Sequence, residues 1–252
     1  MLTLLKYDLK RDQFMLLGGM IALLLALLTI ELGGRQINIE TNGIAVLSFM
    51  TYSFFGILLL IAVCNSFRAS IRSVGRRLVP LGSIHYVGAA LLYALLLSAV
   101  LLAIAGLHLL YYKSSGILRE LEQSGGVTVN WNSSLPLPFG IVVVVLWSTL
   151  FLVTMLLLVM AVTESLKFKG RSLIGLVIVV LLSSVISWAK NAFFGGVGVG
   201  TLPGFHIENQ SQMTMQSQYS SIDGFGFVFE LVVAALFIWA AVKLIDRKVR
   251  IE

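Results

Sequence analysis

Apolar residues run along this chain in long blocks, without the alternation of a strand and without confinement to one helical face. Residues 13–30 hold no charged side chain, and neither do 41–67. The stretch 78–112 is also uncharged, with a polar start, and two more blocks follow the breakers Pro136 and Pro138 before a last one near the C-terminus. A helix needs about 20 mostly apolar residues to cross the hydrocarbon core of a bilayer. The blocks therefore predict six transmembrane helices, at about 14–32, 44–64, 87–110, 139–163, 172–189 and 225–242. The blocks favour helices over a β-barrel, because they are apolar on every face instead of alternating in segments of about ten residues. One further uncharged run, 191–207, contains Gly195, Gly196, Gly198, Gly200, Pro203 and Gly204. That composition reads as a re-entrant or lid-like segment, here given the bounds 190–223, and not as a lipid-facing helix. The expected fold is a single all-α transmembrane domain covering 1–252.

Composition agrees with the pattern. Hydrophobic residues make up 58% of the 252 and charged residues 12%, against about a quarter charged in soluble domains. The mean hydropathy of +0.95 leaves too little polar chain to cover a water-soluble surface. Charge then sets orientation. The N-terminus carries Lys6, Lys10 and Arg11; the loop after span two carries Arg68, Arg72, Arg76 and Arg77; the loop after span four carries Lys167, Lys169 and Arg171; and the tail carries Lys243, Arg247, Lys248 and Arg250. The other side holds only Arg35, Lys113, Arg119 and Lys190 of the 18 basic residues. Basic residues mark the cytoplasmic side, so both termini are expected there, in the cell membrane of a bacterium. The high pI of 9.6 is a topology signal with anionic lipid as its contact, and it does not call for nucleic acid.

Two inner segments carry helical patterns of their own. In 1–13, Leu2, Leu5 and Leu9 share a face while Lys6, Asp8, Lys10 and Asp12 occupy the others, which predicts a short interfacial helix before span one. In 65–79, Phe67, Ile71, Val74 and Leu78 form an apolar seam beside a row of Arg68, Arg72 and Arg76, with Arg77 adjacent. A two-faced cytoplasmic helix is predicted, stopped before Pro80, whose missing N–H and restricted predecessor Val79 end helices. Such a helix can dock one face on a partner and turn its arginines toward carboxylates or lipid phosphates. In span three, Ala90, Ala94 and Ser98 form a small-residue ridge suited to close helix packing.

Catalytic chemistry is sparse. Cys64 is the single cysteine, and His85, His108 and His206 are separated by whole spans or loops. No metal-binding pair, nucleophile elbow or phosphate loop is present in the sequence. The chain is therefore read as no enzyme, with no cofactor of its own, and nucleotide-driven work would need another polypeptide. Glu230 is the one ionisable residue well inside a span. It reads either as a contact for a cationic or amphipathic substrate, or a proton site, or as a carboxylate one turn below the outer interface that water still reaches.

The N-terminal Leu4-Leu-Lys-Tyr-Asp-Leu-Lys10, six spans with both ends inside, and an inner helix ending in Arg76-Arg-Leu-Val-Pro-Leu-Gly-Ser83 together resemble an ABC-2 type transporter permease. In that family the turn often reads Leu-Pro-(Val/Ile)-Ser-Arg; this chain keeps Pro80 and lacks the arginine. The resemblance implies a half-transporter in which 65–79 is the coupling helix, with Phe67, Arg68, Ile71, Arg72, Val74, Arg76, Arg77, Leu78 and Pro80 at the docking surface. It implies two copies of a separate ATP-binding subunit carrying ATP and Mg, a second copy or paralogue of the permease, and short outer re-entrant helices between spans five and six. The expected activity is export of an amphipathic or hydrophobic substrate such as an antimicrobial peptide, drug or lipid. The alternatives are an ion-coupled secondary carrier and a non-transporting immunity or scaffold protein.

Overall fold

Where a long apolar block contains no breaker, the helix has no reason to end with the block, and here it does not. A computed structural model of the chain describes residues 2–72, 82–123, 137–165, 171–194, 205–209, 212–215 and 224–248. Its helices are α1 (Leu2–Gln36), α2 (Thr41–Arg72), α3 (Ser83–Ser114), the short α4 (Ile117–Gln123), α5 (Leu137–Ser165), α6 (Arg171–Phe194) and α7 (Gly224–Lys248). All but α4 are long and apolar enough to cross a membrane, so the fold is that of an all-α multi-pass membrane protein, with six candidate spans among the described residues. Each predicted apolar block lies inside one of these six helices. Within 190–223, α6 continues to Phe194, and an antiparallel hairpin pairs β1 (Phe205–Asn209) with β2 (Gln212–Met215), Phe205 opposite Met215 and Ile207 opposite Met213. Neither strand is a re-entrant helix.

Two predicted boundaries give way to longer helices. The interfacial helix expected at 1–13 is the first third of α1, a single helix of 35 residues, about 52 Å long at 1.5 Å per residue. Nothing near Gln13 breaks it, and several of its apolar residues pack on the bundle. Leu4 is buried against Tyr86 and Ala89, and Leu5, Leu9 and Leu16 pack on the main core. Likewise, 65–72 is not a separate helix but the end of α2, which runs unbroken for 32 residues.

Helix α3 is the hub, in contact with α1, α2, α5 and α7. The core lies where these helices converge toward the end that carries the termini, and includes Phe67, Val87, Tyr93, Val153, Leu157, Ala161, Ala241 and Ile245. Ala90, Ala94 and Ser98 of the small-residue ridge are all buried inside this bundle, so the ridge serves close packing within one chain. Helix α6 stands apart, packed chiefly on α5. A Cβ on Gly175 would come within 3.1 Å of the Thr163 methyl group, so the glycine permits that single approach. The remaining faces of α6 present Leu173, Leu176, Val180, Leu181 and Trp188 outward, the composition of a lipid-facing surface.

Candidate functional site

The charged residues described in the six apolar helices lie toward the two ends of the bundle, and several are paired across helices, while mid-helix Ser and Thr hydroxyls such as Thr51 and Thr154 bond their own helix backbone. This follows from the medium: with no water in the hydrocarbon, a polar side chain is tolerated when a neighbouring helix or its own backbone satisfies it.

The basic end joins the N-terminal part of α1, the end of α2, the start of α3 and the ends of α5 and α7. Arg68 Nε donates to Glu164 Oε1 at 2.7 Å, tying α2 to α5. The Tyr93 hydroxyl donates to Asp12 Oδ2 at 3.0 Å, tying α3 to α1, and the Ser83 hydroxyl donates to Asp246, tying α3 to α7. Arg11 bonds Asp12 at 2.9 Å and lies 3.7 Å from the buried Asp8. Among the residues expected at the docking surface, Phe67 and Ile71 are 1% and 3% exposed. These two residues of the seam are spent inside the bundle. Arg68 is roughly half exposed but engaged by Glu164. Arg72 closes α2. Val74, Arg76, Arg77, Leu78 and Pro80 lie outside the described residues.

At the opposite, acidic end, Glu230 sits six residues into α7, about 9 Å from the helix start, and is 1% exposed. Water does not reach it there. Both carboxylate oxygens are engaged: Lys190 of α6 pairs with Oε1, and the Trp147 indole N–H of α5 donates to Oε2 at 2.6 Å. The Lys190 ammonium also lies 5.8 Å from the centre of the Phe151 ring, within cation–π range. Glu230 is thus the joint of α5, α6 and α7, with a protein donor on each oxygen. Of the options open to an intramembrane acid, it takes the paired one.

A second carboxylate, Glu31, closes the other half of the same end. It is buried near the end of α1, where Oε1 accepts from the Tyr112 hydroxyl and lies 3.3 Å from His108 Nε2. His108 Nδ1 is 3.2 Å from the Tyr52 hydroxyl, and Ser48 and Tyr112 lie 3.4 Å apart, so α1, α2 and α3 meet in one polar cluster. Arg35, one turn after Glu31, reaches its Oε2 at 3.6 Å. The sequence signal for this cluster was partial. His108 and Tyr112 share a face at i, i+4, but Glu31 is 77 residues from His108, and only the bundle brings them together.

The chemistry available at these clusters is ion pairing, hydrogen bonding and proton exchange; among the described residues no group of three His, Cys, Asp or Glu is placed to hold a metal ion. No protein-family model, characterised protein or solved structure matches the chain.

Proposed function

We propose that this chain is the membrane-spanning subunit of an ATP-driven exporter of the ABC-2 type, with ATP hydrolysed on a separate subunit. The observation that carries the reading is the anchoring of the two helix ends that flank the basic segment. Helix α2 stays packed in the bundle to its end, with Ile71 buried and Arg68–Glu164 clamping it to α5, and α3 starts again at Ser83 clamped to α7 by Asp246. A force delivered by a nucleotide-closing partner to the helix ends at Arg72 and Ser83 would pass into four helices at once. Basic residues concentrated in that loop favour the cytoplasmic side for it and for both termini, in the cell membrane. The outward faces of the bundle are almost wholly apolar, which suits an amphipathic or hydrophobic substrate such as a peptide, drug or lipid better than a hydrophilic solute. Two such permeases with two ATPases make the working unit.

The test uses Arg76 and Arg77, because substitution of Phe67 or Ile71 would damage the core. Exchange of both arginines for glutamate should leave the melting temperature in detergent unchanged and abolish association with the co-expressed ATP-binding subunit. Retained association would overturn the assignment.

A second reading is favoured by the buried carboxylates. An ion-coupled carrier keeps acidic groups within its membrane domain, and Glu31 and Glu230 are both buried. Transport in vesicles that persists without nucleotide and stops when the proton gradient is collapsed would select the carrier.

A further inference from the structure

The acidic end contains a cavity of about 270 Å³ at the junction of α1, α2 and α4. Glu230 and the basic loop take no part in it, and it is independent of the exporter assignment. Local structure builds it. Asn38 adopts φ 56°, the left-handed conformation that asparagine tolerates, and the Ile39 N–H returns to the Gly34 carbonyl at 2.9 Å while the Asn38 N–H returns to the Arg35 carbonyl at 3.3 Å. This Schellman-type close folds Ile39 back over the end of α1. A Cβ on Gly34 would lie 3.0 Å from the Ile44 side chain, so the glycine lets α2 start hard against α1. Gly116, at φ 79°, turns the chain from α3 into α4 and brings Glu120 to the opposite wall.

The polar lining is unbalanced. Glu31, nine-tenths buried, has one oxygen engaged by Tyr112 and His108, while Oε2 is buried without a hydrogen-bond donor and faces only the Arg35 guanidinium at 3.6 Å. Glu120 accepts from the Thr41 hydroxyl at 3.1 Å, which leaves its other oxygen as an acceptor. The Ser115 hydroxyl donates to the Tyr111 carbonyl at 2.8 Å, so toward the cavity its oxygen can only accept. Two carboxylates, one guanidinium and a hydroxyl acceptor give a lining with an excess of one negative charge and of acceptors. A primary ammonium group carries three N–H donors and one positive charge, the complement of that lining. Arg35 in turn is suited to a phosphate beside the ammonium, since its planar fork matches phosphate oxygens. The volume falls just below the roughly 300–1,000 Å³ of drug-sized sites, and so fits a headgroup better than a larger molecule. Isoleucine side chains, Ile39 among them, complete the wall. Glu31 directly follows the uncharged run 13–30, which sets the cavity at headgroup level.

We propose that this cavity binds an aminoethyl-phosphate group, its ammonium between Glu31 and Glu120 and its phosphate at Arg35. The same chemistry is carried by an ethanolamine phospholipid and by a soluble aminoethyl phosphate ester, and the experiment separates them. The full-length protein is reconstituted in nanodiscs of phosphatidylcholine containing a minor fraction of phosphatidylethanolamine, and retained lipid is counted by native mass spectrometry; in parallel, aminoethyl phosphate and its trimethylammonium analogue are titrated in detergent with thermal unfolding as readout. One of the two aminoethyl forms should be preferred over its trimethylammonium counterpart by about tenfold, the loss expected when charge-assisted N–H donors are removed. Preference in nanodiscs alone identifies a lipid site, and preference by the soluble ester identifies a soluble ligand. Glu120→Gln should erase the preference while leaving the ligand-free melting temperature unchanged, and Ile39→Trp should block the cavity and abolish binding. Equal binding of both headgroups, binding of neither, or a preference that survives either Glu120→Gln or Ile39→Trp would overturn the proposal.

Discussion

A carboxylate that is 1% exposed inside a bilayer protein is held there by its partners, and Glu230 has two. Removing one partner is more damaging than removing the charge, because the remaining ion is left buried without compensation. Lys190→Met should therefore cost about 3–5 kcal/mol of stability. The paired change Lys190→Met with Glu230→Gln should recover most of that loss, since a neutral amide can still accept from Trp147. Unfolding of the single and double variants in mixed micelles gives the coupling directly as a double-mutant cycle. A double variant no more stable than Lys190→Met would show that the pair is not what holds α6 to α7. The same reasoning separates Glu230 from Glu31. Glu230 has both oxygens occupied by protein, whereas Glu31 keeps one without a hydrogen-bond donor at the edge of a cavity, so of the two it is Glu31 that can respond to a ligand. The sequence singled out Glu230 because it interrupts an apolar block, and passed over Glu31 because it follows one. Position within a block measures the cost of burial and says nothing about whether the partners are already in place.

At the scale of elements, the helices continue where the sequence marks only a change of composition. Charged residues at 6–12 read as an interfacial segment because composition assigns them to headgroups, yet α1 carries its apolar seam through them, and Asp12 finds Tyr93 of α3 across the bundle. Likewise, the seam of Phe67 and Ile71 is an amphipathic pattern with two solutions, a free docking face or a buried internal one. Periodicity alone reports that a face is apolar and not what covers it. The six spans themselves were legible, since length and hydropathy decide them without tertiary information. Continuity across Gln13 is testable. Proline at that position would remove a helical N–H and clash with the carbonyl of Leu9. In a hinge between two helices it would be nearly silent; in one continuous helix Gln13→Pro should cost about 3 kcal/mol and separate Asp12 from Tyr93. Equal stability of Gln13→Pro and the parent protein, followed by thermal unfolding in detergent, would restore the two-helix description.

For the whole molecule, the six spans place the start of α1 and the end of α7 at one end of the bundle, and the ties from Asp12 to Tyr93 and from Ser83 to Asp246 bind that end together. The surface of the bundle at membrane depth is apolar around α1, α2 and α6, so the orientation is not decided by any outward-facing polar stripe. It is decided by the ends. Fourteen of the 18 basic residues belong to the termini and the two loops at the basic end, and each is costly to carry across against the membrane potential, by about 2.3 kcal/mol per charge per 100 mV. The basic end is accordingly expected in the cytoplasm. Cys64, the single cysteine, makes the measurement direct. In a Cys64→Ser background, cysteines placed at Lys6 and at Glu252 should be protected from a membrane-impermeant maleimide in intact cells and labelled after permeabilisation. A cysteine at Ile37, in the connection from α1 to α2, should be labelled without permeabilisation. Neutralising Arg68, Arg72, Arg76 and Arg77 at the junction of spans two and three should weaken this bias and yield a mixed population, because that junction carries the largest basic charge adjoining either span. Labelling of Lys6 and Ile37 positions in the reverse order would invert the molecule, put the aminoethyl-phosphate cavity on the cytoplasmic face, and remove any possibility that a cytoplasmic ATPase meets the basic loop.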